Sequence, residues 1–427
     1  MASPYTAVEK QRCVRPSITD VSSHATLTRD VSRYRPPPAF AASGRLDAII
    51  VPASRGADAL DGAAHLSARL GVPLVVLCST GTRSRGTHWL EAAARLSRTR
   101  GCRALAVDVP VGYRHQSLPS RTIAPRFRVA SAHRRSDLSL KRNLGLLMAR
   151  LYGWGKILFL DDDIGDSVHG TQVSLPPAMA RRLAAELDVS QVAGLACREF
   201  PDNSVVYHAR RLAGFRQDTF VSGAALAVHC HDQPVPFFPD QYNEDWFFFS
   251  PLVAERRLGL AGAAKQAPYD PFADPQRARE EEFGDLLAEG LYTLFERQAP
   301  EINYFERLDA ADEWFWEQYI ETRRETLGLI RVSLESCIYY AYDADRCAAA
   351  LRSLVAAESQ LDRLSAGICA DYVDAWASDL REWESSIQRV RAVGTTWDVM
   401  SALGLNNWRV VGRKTYMRRR FVTERVA

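Results

Sequence analysis

The run Lys156-Ile157-Leu158-Phe159-Leu160 ends without transition in Asp161-Asp162-Asp163. Its apolar part has the length and composition of a strand buried on both faces, as in a parallel sheet. The acids that follow then fall at the carboxyl edge of an open α/β sheet, where ligands bind. Three adjacent aspartates repel one another, and a divalent cation removes that repulsion directly. Hard oxygen ligands in this setting suit Mg²⁺ or Mn²⁺ carrying phosphate. The competing reading is an acidic strand-to-loop turn with a capping aspartate, and the triplet alone does not separate the two.

A chain of 427 residues, 47% hydrophobic, has room for two or three domains with filled cores. Lys and Arg total 54 against 51 acids, so the net charge of +3 selects no partner class. The eight cysteines include no Cys-x-x-Cys pair, which predicts reduced, buried thiols and a cytoplasmic protein. No apolar segment approaches the roughly 18 to 20 residues of a membrane span. The N-terminus has no basic region followed by an apolar run, so no secretion signal is expected.

Residues 1–45 read as a polar arm with room for one short strand. From Leu46 strands and helices alternate: a strand to Val51, a helix over Ala59 to Leu70, a strand from Pro73 to Cys78, a helix near Thr87 to Arg98 and a strand from Ala104 to Val109. This spacing predicts a Rossmann-like, mostly parallel sheet with helices on both faces. The Gly81 turn is no P-loop, and Gly153-Trp154-Gly155 lacks the third glycine of a dinucleotide fingerprint.

Gly112 to Lys141 is a long irregular segment with Arg114, Arg121, Arg126, Arg128, Arg134 and Arg135 against the single acid Asp137. A helix follows, in which Leu140, Leu144, Leu147, Met148 and Leu151 share one face and Ser136 caps the start. Arg142 falls opposite that face, where a basic side chain is either solvated or meets a diphosphate. Beyond the triplet the pattern gives a helix from Pro176 to Leu187, a strand from Val192 to Cys197, a hairpin or loop over Asp202 to Phe220, and a strand over Thr219 to His229. Gly223 in that last strand suggests close approach by a ligand.

Asn243-Glu244-Asp245 then precedes Trp246, Phe247, Phe248 and Phe249. Carboxylates on an apolar wall acquire the raised pKa of a general base, while a helix start capped by Asn243 is the plainer alternative. Residues 271–395 are helical in period throughout, with aromatics expected in the core, and 396–427 form a basic tail.

Asp47-Ala48-Ile49-Ile50-Val51-Pro52, the Lys141-Arg142-Asn143-x-Gly145 helix, the Asp161–Asp163 strand end and Asn243-Glu244-Asp245-Trp246, in that order, resemble a GT-A fold glycosyltransferase of the family-2 type. The likeness covers roughly residues 46–260, within a catalytic unit drawn at 46–270. Two features depart from it: the basic linker before Ser136 is long, and the acceptor-loop glycine pair is reduced to Ser222-Gly223. The resemblance implies a nucleotide-diphosphate sugar donor beside Asp47, Ser54, Arg55, Arg142, Asn143, Asp161 and Asp162. It puts Mn²⁺ or Mg²⁺ on Asp163 with Asp161, with His229 or His231 as a further ligand. Asp245 or Glu244 would be the base toward an acceptor hydroxyl. The basic linker and tail admit an anionic acceptor; nucleic acid is the weaker alternative, since no base-reading motif accompanies them. The competing functions are a nucleotidyltransferase on a similar sheet and a non-catalytic nucleotide-binding scaffold.

Overall fold

The computed structural model describes residues 27–30, 44–55, 57–79, 101–168, 171–173, 175–198, 200, 203–215, 220–231, 233–299, 301–340 and 343–412. Most of the N-terminal arm, the Gly81 turn, the helix expected near Thr87 and the basic residues beyond Gly412 lie outside these.

The fold is α/β. In chain order come β1 (Thr28–Asp30), β2 (Ala48–Pro52), α1 (Asp61–Leu70), β3 (Leu74–Ser79), β4 (Ala104–Val109), α2 (Pro125–Ala130), α3 (Leu138–Tyr152) and β5 (Lys156–Leu160). A small hairpin, β6 (Asp166–Val168) and β7 (Thr171–Val173), leads to α4 (Pro177–Glu186), β8 (Val192–Arg198), α5 (Val205–Leu212) and β9 (Val221–His229). After α6 (Glu244–Ala254) and β10 (Leu258–Lys265) the chain is helical: α7 (Pro275–Arg297), α8 (Tyr304–Asp309), α9 (Glu313–Tyr340), α10 (Ala344–Leu361), α11 (Ala366–Arg389) and α12 (Thr396–Ala402). Strand β11 (Trp408–Val411) closes the described chain.

The main sheet has nine strands in the order β1-β10-β8-β9-β5-β2-β3-β4-β11. Strand β9 runs antiparallel between β8 and β5, β11 runs antiparallel on β4, and the other pairings are parallel. Side chains of a strand alternate between faces. Ile157 and Phe159 therefore join the core beneath α3, while Leu158 and Leu160 join the one beneath α1 and α4. The chain leaves β2 toward β3 on one side and β5 toward β8 and β9 on the other, so a crevice opens at the carboxyl ends of β2 and β5.

Gly153, left-handed at φ 69°, ends α3 and turns the chain into β5. Beyond β5 the acidic turn is stitched to the end of β10, with Gly165 N–H donating to the Lys265 carbonyl at 2.9 Å and Ala267 N–H to that of Asp163 at 2.9 Å. These bonds, not the strand itself, fix where Asp163 points.

Four expectations change. The segment from Gly112 to Lys141 contains a helix, α2. The stretch expected as a hairpin or loop after Asp202 is α5, capped by the Ser204 hydroxyl accepting from Tyr207 N–H. Residues 396–412 are no tail: α12 and β11 complete the sheet edge beside β4. The packing marks no boundary near residue 270, because one apolar cluster runs from Phe159 and Phe247 through Phe283 to Trp376 and Trp383. Trp316, Trp376 and Trp383 are fully buried, as expected of core aromatics, whereas Trp314 is exposed.

Candidate functional site

The crevice at the carboxyl edge is a cavity of about 610 Å³, within the size range of small-molecule sites. One end is formed by Pro52, Ser54 and Arg55 after β2 and by Asp161–Asp163 after β5. The far side is formed by the start of α6, one face of α5 and the inward face of α7.

At the β2 end, Asp162 Oδ2 accepts from the backbone N–H groups of Ser54 and Arg55, both at 2.7 Å. The middle aspartate is thus a latch between two strand ends. Asp163 Oδ2 accepts from Arg55 Nη2 at 2.8 Å and from Gln266 Nε2 at 3.1 Å. Arg55 is 43% exposed, so it can leave Asp163 when a ligand arrives.

Arg142 ties the two acid clusters together. Only 2% exposed, it donates from Nη2 to Asp161 at 2.9 and 3.1 Å and from Nη1 to Glu244 at 2.7 Å. Burial pulls this guanidinium toward neutrality, but the carboxylates of Asp161, Glu244 and Asp245 outweigh that and raise its pKa. The expectation of a solvated or phosphate-facing Arg142 is therefore corrected: its charge is spent on protein acids. A Cβ at Gly223 would come within 2.8 Å of both Arg142 Nη1 and Asp245 Cβ, so glycine is needed here to admit protein groups, not a ligand.

Asp245 is half-buried and lines the cavity, with Oδ2 accepting from Gly223 N–H at 2.7 Å and Oδ1 from Trp246 N–H at 2.9 Å. The ring wall expected behind it is present: Trp246 stacks on Tyr292 at 4.5 Å and meets Phe220 at 4.9 Å, while Phe247, Phe248 and Phe249 are buried. Asn243 begins α6 at φ 59° without capping it, its side chain donating instead to Asp285 at 2.9 Å.

Eight of the residues expected at the site come together on this cavity: Ser54, Arg55, Arg142, Asp161, Asp162, Asp163, Glu244 and Asp245. Four do not. Asp47 precedes β2 and accepts from the N–H groups of Gly155 and Lys156 at the opposite edge of the sheet. His229 pairs with Lys156, the first residue of β5, because β9 runs antiparallel. It therefore lies a strand's length, roughly 15 Å, from Asp161. His231 lies beyond it, so neither histidine joins the aspartates. Asn143 exchanges two hydrogen bonds with the backbone of Phe238, at 2.7 and 2.8 Å, and clamps that loop to α3.

The residues fit a metal escorted by phosphate rather than one caged by protein alone. Among the described residues no group of three or more His, Cys, Asp or Glu side chains forms a metal cage. Mg²⁺ held through one or two carboxylates plus substrate phosphates needs only Asp163 and Asp161, and both line the cavity.

The far wall was not anticipated. Tyr207 and Arg210 stand about one turn apart on one face of α5, with Asn203 just before its cap, and Arg277, Glu281, Asp285 and Glu289 on α7 oppose them. Ser204 before Val205, Val206 and Ala209 was a helix signal that a period count at 3.6 would have caught. The acids of α7 gave no signal, since which helix face meets the sheet is a tertiary fact.

Burial raises the Asp285 carboxyl from 3.8 to about 7, against the opposing pull of Arg323 at 3.1 Å. A carboxyl whose folded pKa lies above its unfolded value stabilises below the unfolded pKa, and that stability is lost as pH rises to the folded one. Asp285→Asn is expected to abolish the loss between about pH 4 and 7, gaining a few kcal/mol on the wild type at pH 8 and none at pH 4. Arg323 keeps its paired bonds to Glu282 in that variant. Urea midpoints at the two pH values provide the check, and parallel curves for variant and wild type would refute the assignment.

Among the described residues the cavity is lined by ten carboxyl groups and seven cationic side chains, an excess of acidic groups suited to a ligand that brings a cation with it. Compared with known proteins, the chain matches no family model and no curated protein. Among the described residues no helix is long and apolar enough to cross a membrane.

Proposed function

We propose that this protein is a glycosyltransferase of the GT-A type, moving a sugar from a nucleotide-diphosphate donor to an acceptor hydroxyl. The observation that carries the reading is the meeting of Asp161–Asp163 with Glu244 and Asp245 across Arg142, in one cavity at the point where the sheet's strand order reverses. Asp163, with Asp161, would hold Mg²⁺ or Mn²⁺, which when bound neutralises charge developing on the leaving diphosphate. Ser54 and Arg55 border the same end, and Arg55 is mobile enough to turn from Asp163 to a phosphate oxygen.

At the centre, Glu244 is engaged by Arg142, so Asp245 is the better base. Its two backbone donors orient the carboxylate and leave lone pairs for the acceptor hydroxyl. The acceptor oxygen gives its proton to Asp245 and bonds the anomeric carbon, whose bond to the diphosphate oxygen breaks with its electron pair. Trp246 and Phe220 line that side with apolar surface, which suits the apolar face of a sugar ring.

Incubation with a panel of nucleotide sugars and Mn²⁺ tests the reading. Slow, metal-dependent release of nucleoside diphosphate is expected. Pyrophosphate release would indicate nucleotidyl transfer instead, and binding without any release a scaffold. Asp245→Asn is expected to leave donor affinity within about twofold and to lower turnover about 10²- to 10⁴-fold. A loss of donor affinity instead would move Asp245 from the base role to donor binding.

A further inference from the structure

Arg210 is only 8% exposed, yet its side chain lines the cavity and has no ion pair or hydrogen bond to any described residue. The other cations of the wall are accounted for. Arg55 is on Asp163, Lys141 on Asp137, Arg142 on Asp161 and Glu244, and Arg277 on Glu281. Arg134 sits over the Tyr242 ring and Arg135 is exposed. A guanidinium that lines a cavity without an ion pair to any described residue is placed to take up an anion that arrives from outside.

Two residues beside it on the cavity wall are donors as well. Asn203 Nδ2 is buried and has no hydrogen-bond partner among the described residues, and Tyr207, one turn before Arg210, lines the cavity. Guanidinium, phenol and amide together match the oxygens of a phosphate or carboxylate.

Position decides which substrate carries that group. Helix α5 follows β8, which is separated from β2 by β9 and β5. At about 4.8 Å per strand, three spacings put this wall roughly 14 Å across the sheet from Ser54 and Arg55. Asp245, bonded to Gly223 of β9, stands between β5 and β8 in the strand order, so a group held on α5 lies across it from Ser54 and Arg55, on the side where an acceptor would come in. We propose that Arg210, with Tyr207 and Asn203, forms a subsite for an anionic group, a phosphate or carboxylate, on the acceptor. The assignment to the acceptor rests on the glycosyl-transfer reading; the anion site itself does not.

The test titrates the full chain with inorganic phosphate, and separately with UDP and GDP in the presence of Mn²⁺. In Arg210→Gln the Kd for phosphate is expected to rise at least tenfold, with Arg210→Lys intermediate, while affinity for the nucleoside diphosphates stays within twofold. Phosphate affinity unchanged by Arg210→Gln, or no phosphate binding by the wild type, overturns the site. An equal loss of nucleoside diphosphate affinity hands Arg210 to the donor and overturns the acceptor assignment. Arg210-dependent phosphate binding in a protein that releases nothing from any nucleotide sugar refutes the transfer reading and leaves the anion site standing.

Discussion

Arg142→Met is expected to cost about 3–5 kcal/mol of folding stability, the range found when one partner of a buried ion pair is removed. The arginine is enclosed, with Glu244 on one nitrogen, Asp161 on the other and the Phe238 ring 5.4 Å from its guanidinium carbon. Methionine fills most of the volume but leaves two carboxylates facing each other in a closed space. They must then take up protons or draw in water, and either loosens the join between α3, β5 and α6. The loss is read from the urea midpoint at pH 8. Adding Asp161→Asn and Glu244→Gln to Arg142→Met removes the stranded charges and is expected to recover more than half of it. A single variant within 1 kcal/mol of the wild type, or a triple variant no better than the single, would show that the arginine is not the bridge described here.

That bridge explains which parts of the site could be read in advance. The Asp161–Asp163 strand end was legible because Ile157 to Leu160 has one plausible period and the acids follow it directly. Glu244 and Asp245 were legible because carboxylates against four aromatics make an uncommon boundary. Asp47 failed for a different reason: it precedes its strand, and the ligand edge of an open sheet lies at the other end. His229 failed because nothing along the chain marks β9 as antiparallel, and that reversal carries the histidine to the wrong edge. Asn143 sits one residue after Arg142, about 100° around the helix, and so faces the Phe238 loop instead of the cavity.

The helical half shows where one-dimensional pattern ends. Its core aromatics followed from a 3.6-residue period, and α7, α9, α10 and α11 fall within residues 271–395, which that period marked as helical. The same period is silent on the acids of α7, which are buried because they face α5 and Arg323, not because of anything in their own helix. A fold boundary drawn at residue 270 therefore separates two walls of one cavity.

Asp163→Asn is expected to lower metal-dependent turnover at least about 100-fold while leaving the fold intact, a loss of the size seen when one element of transition-state charge stabilisation is removed. The two consequences separate because the carboxylate has two kinds of partner. Toward the protein it accepts from Arg55 and Gln266, and an asparagine carbonyl still accepts from both, losing only the charge of a pair whose arginine is 43% exposed. Toward a cation it supplies a formal charge that asparagine lacks. Asp162→Ala should behave in the opposite manner, since the Asp162 oxygen holds two backbone N–H groups at the end of β2 and its loss weakens the latch before it touches any chemistry. Turnover on the nucleotide sugar that supports release, Mn²⁺ affinity and the urea midpoint are measured on both variants. Turnover unchanged in Asp163→Asn would remove the metal from Asp163. A collapse of stability in that variant, with Asp162→Ala unaffected, would mean that the roles of the two aspartates are exchanged and that the cavity's cation sits closer to β2 than the geometry of Arg55 and Gln266 implies.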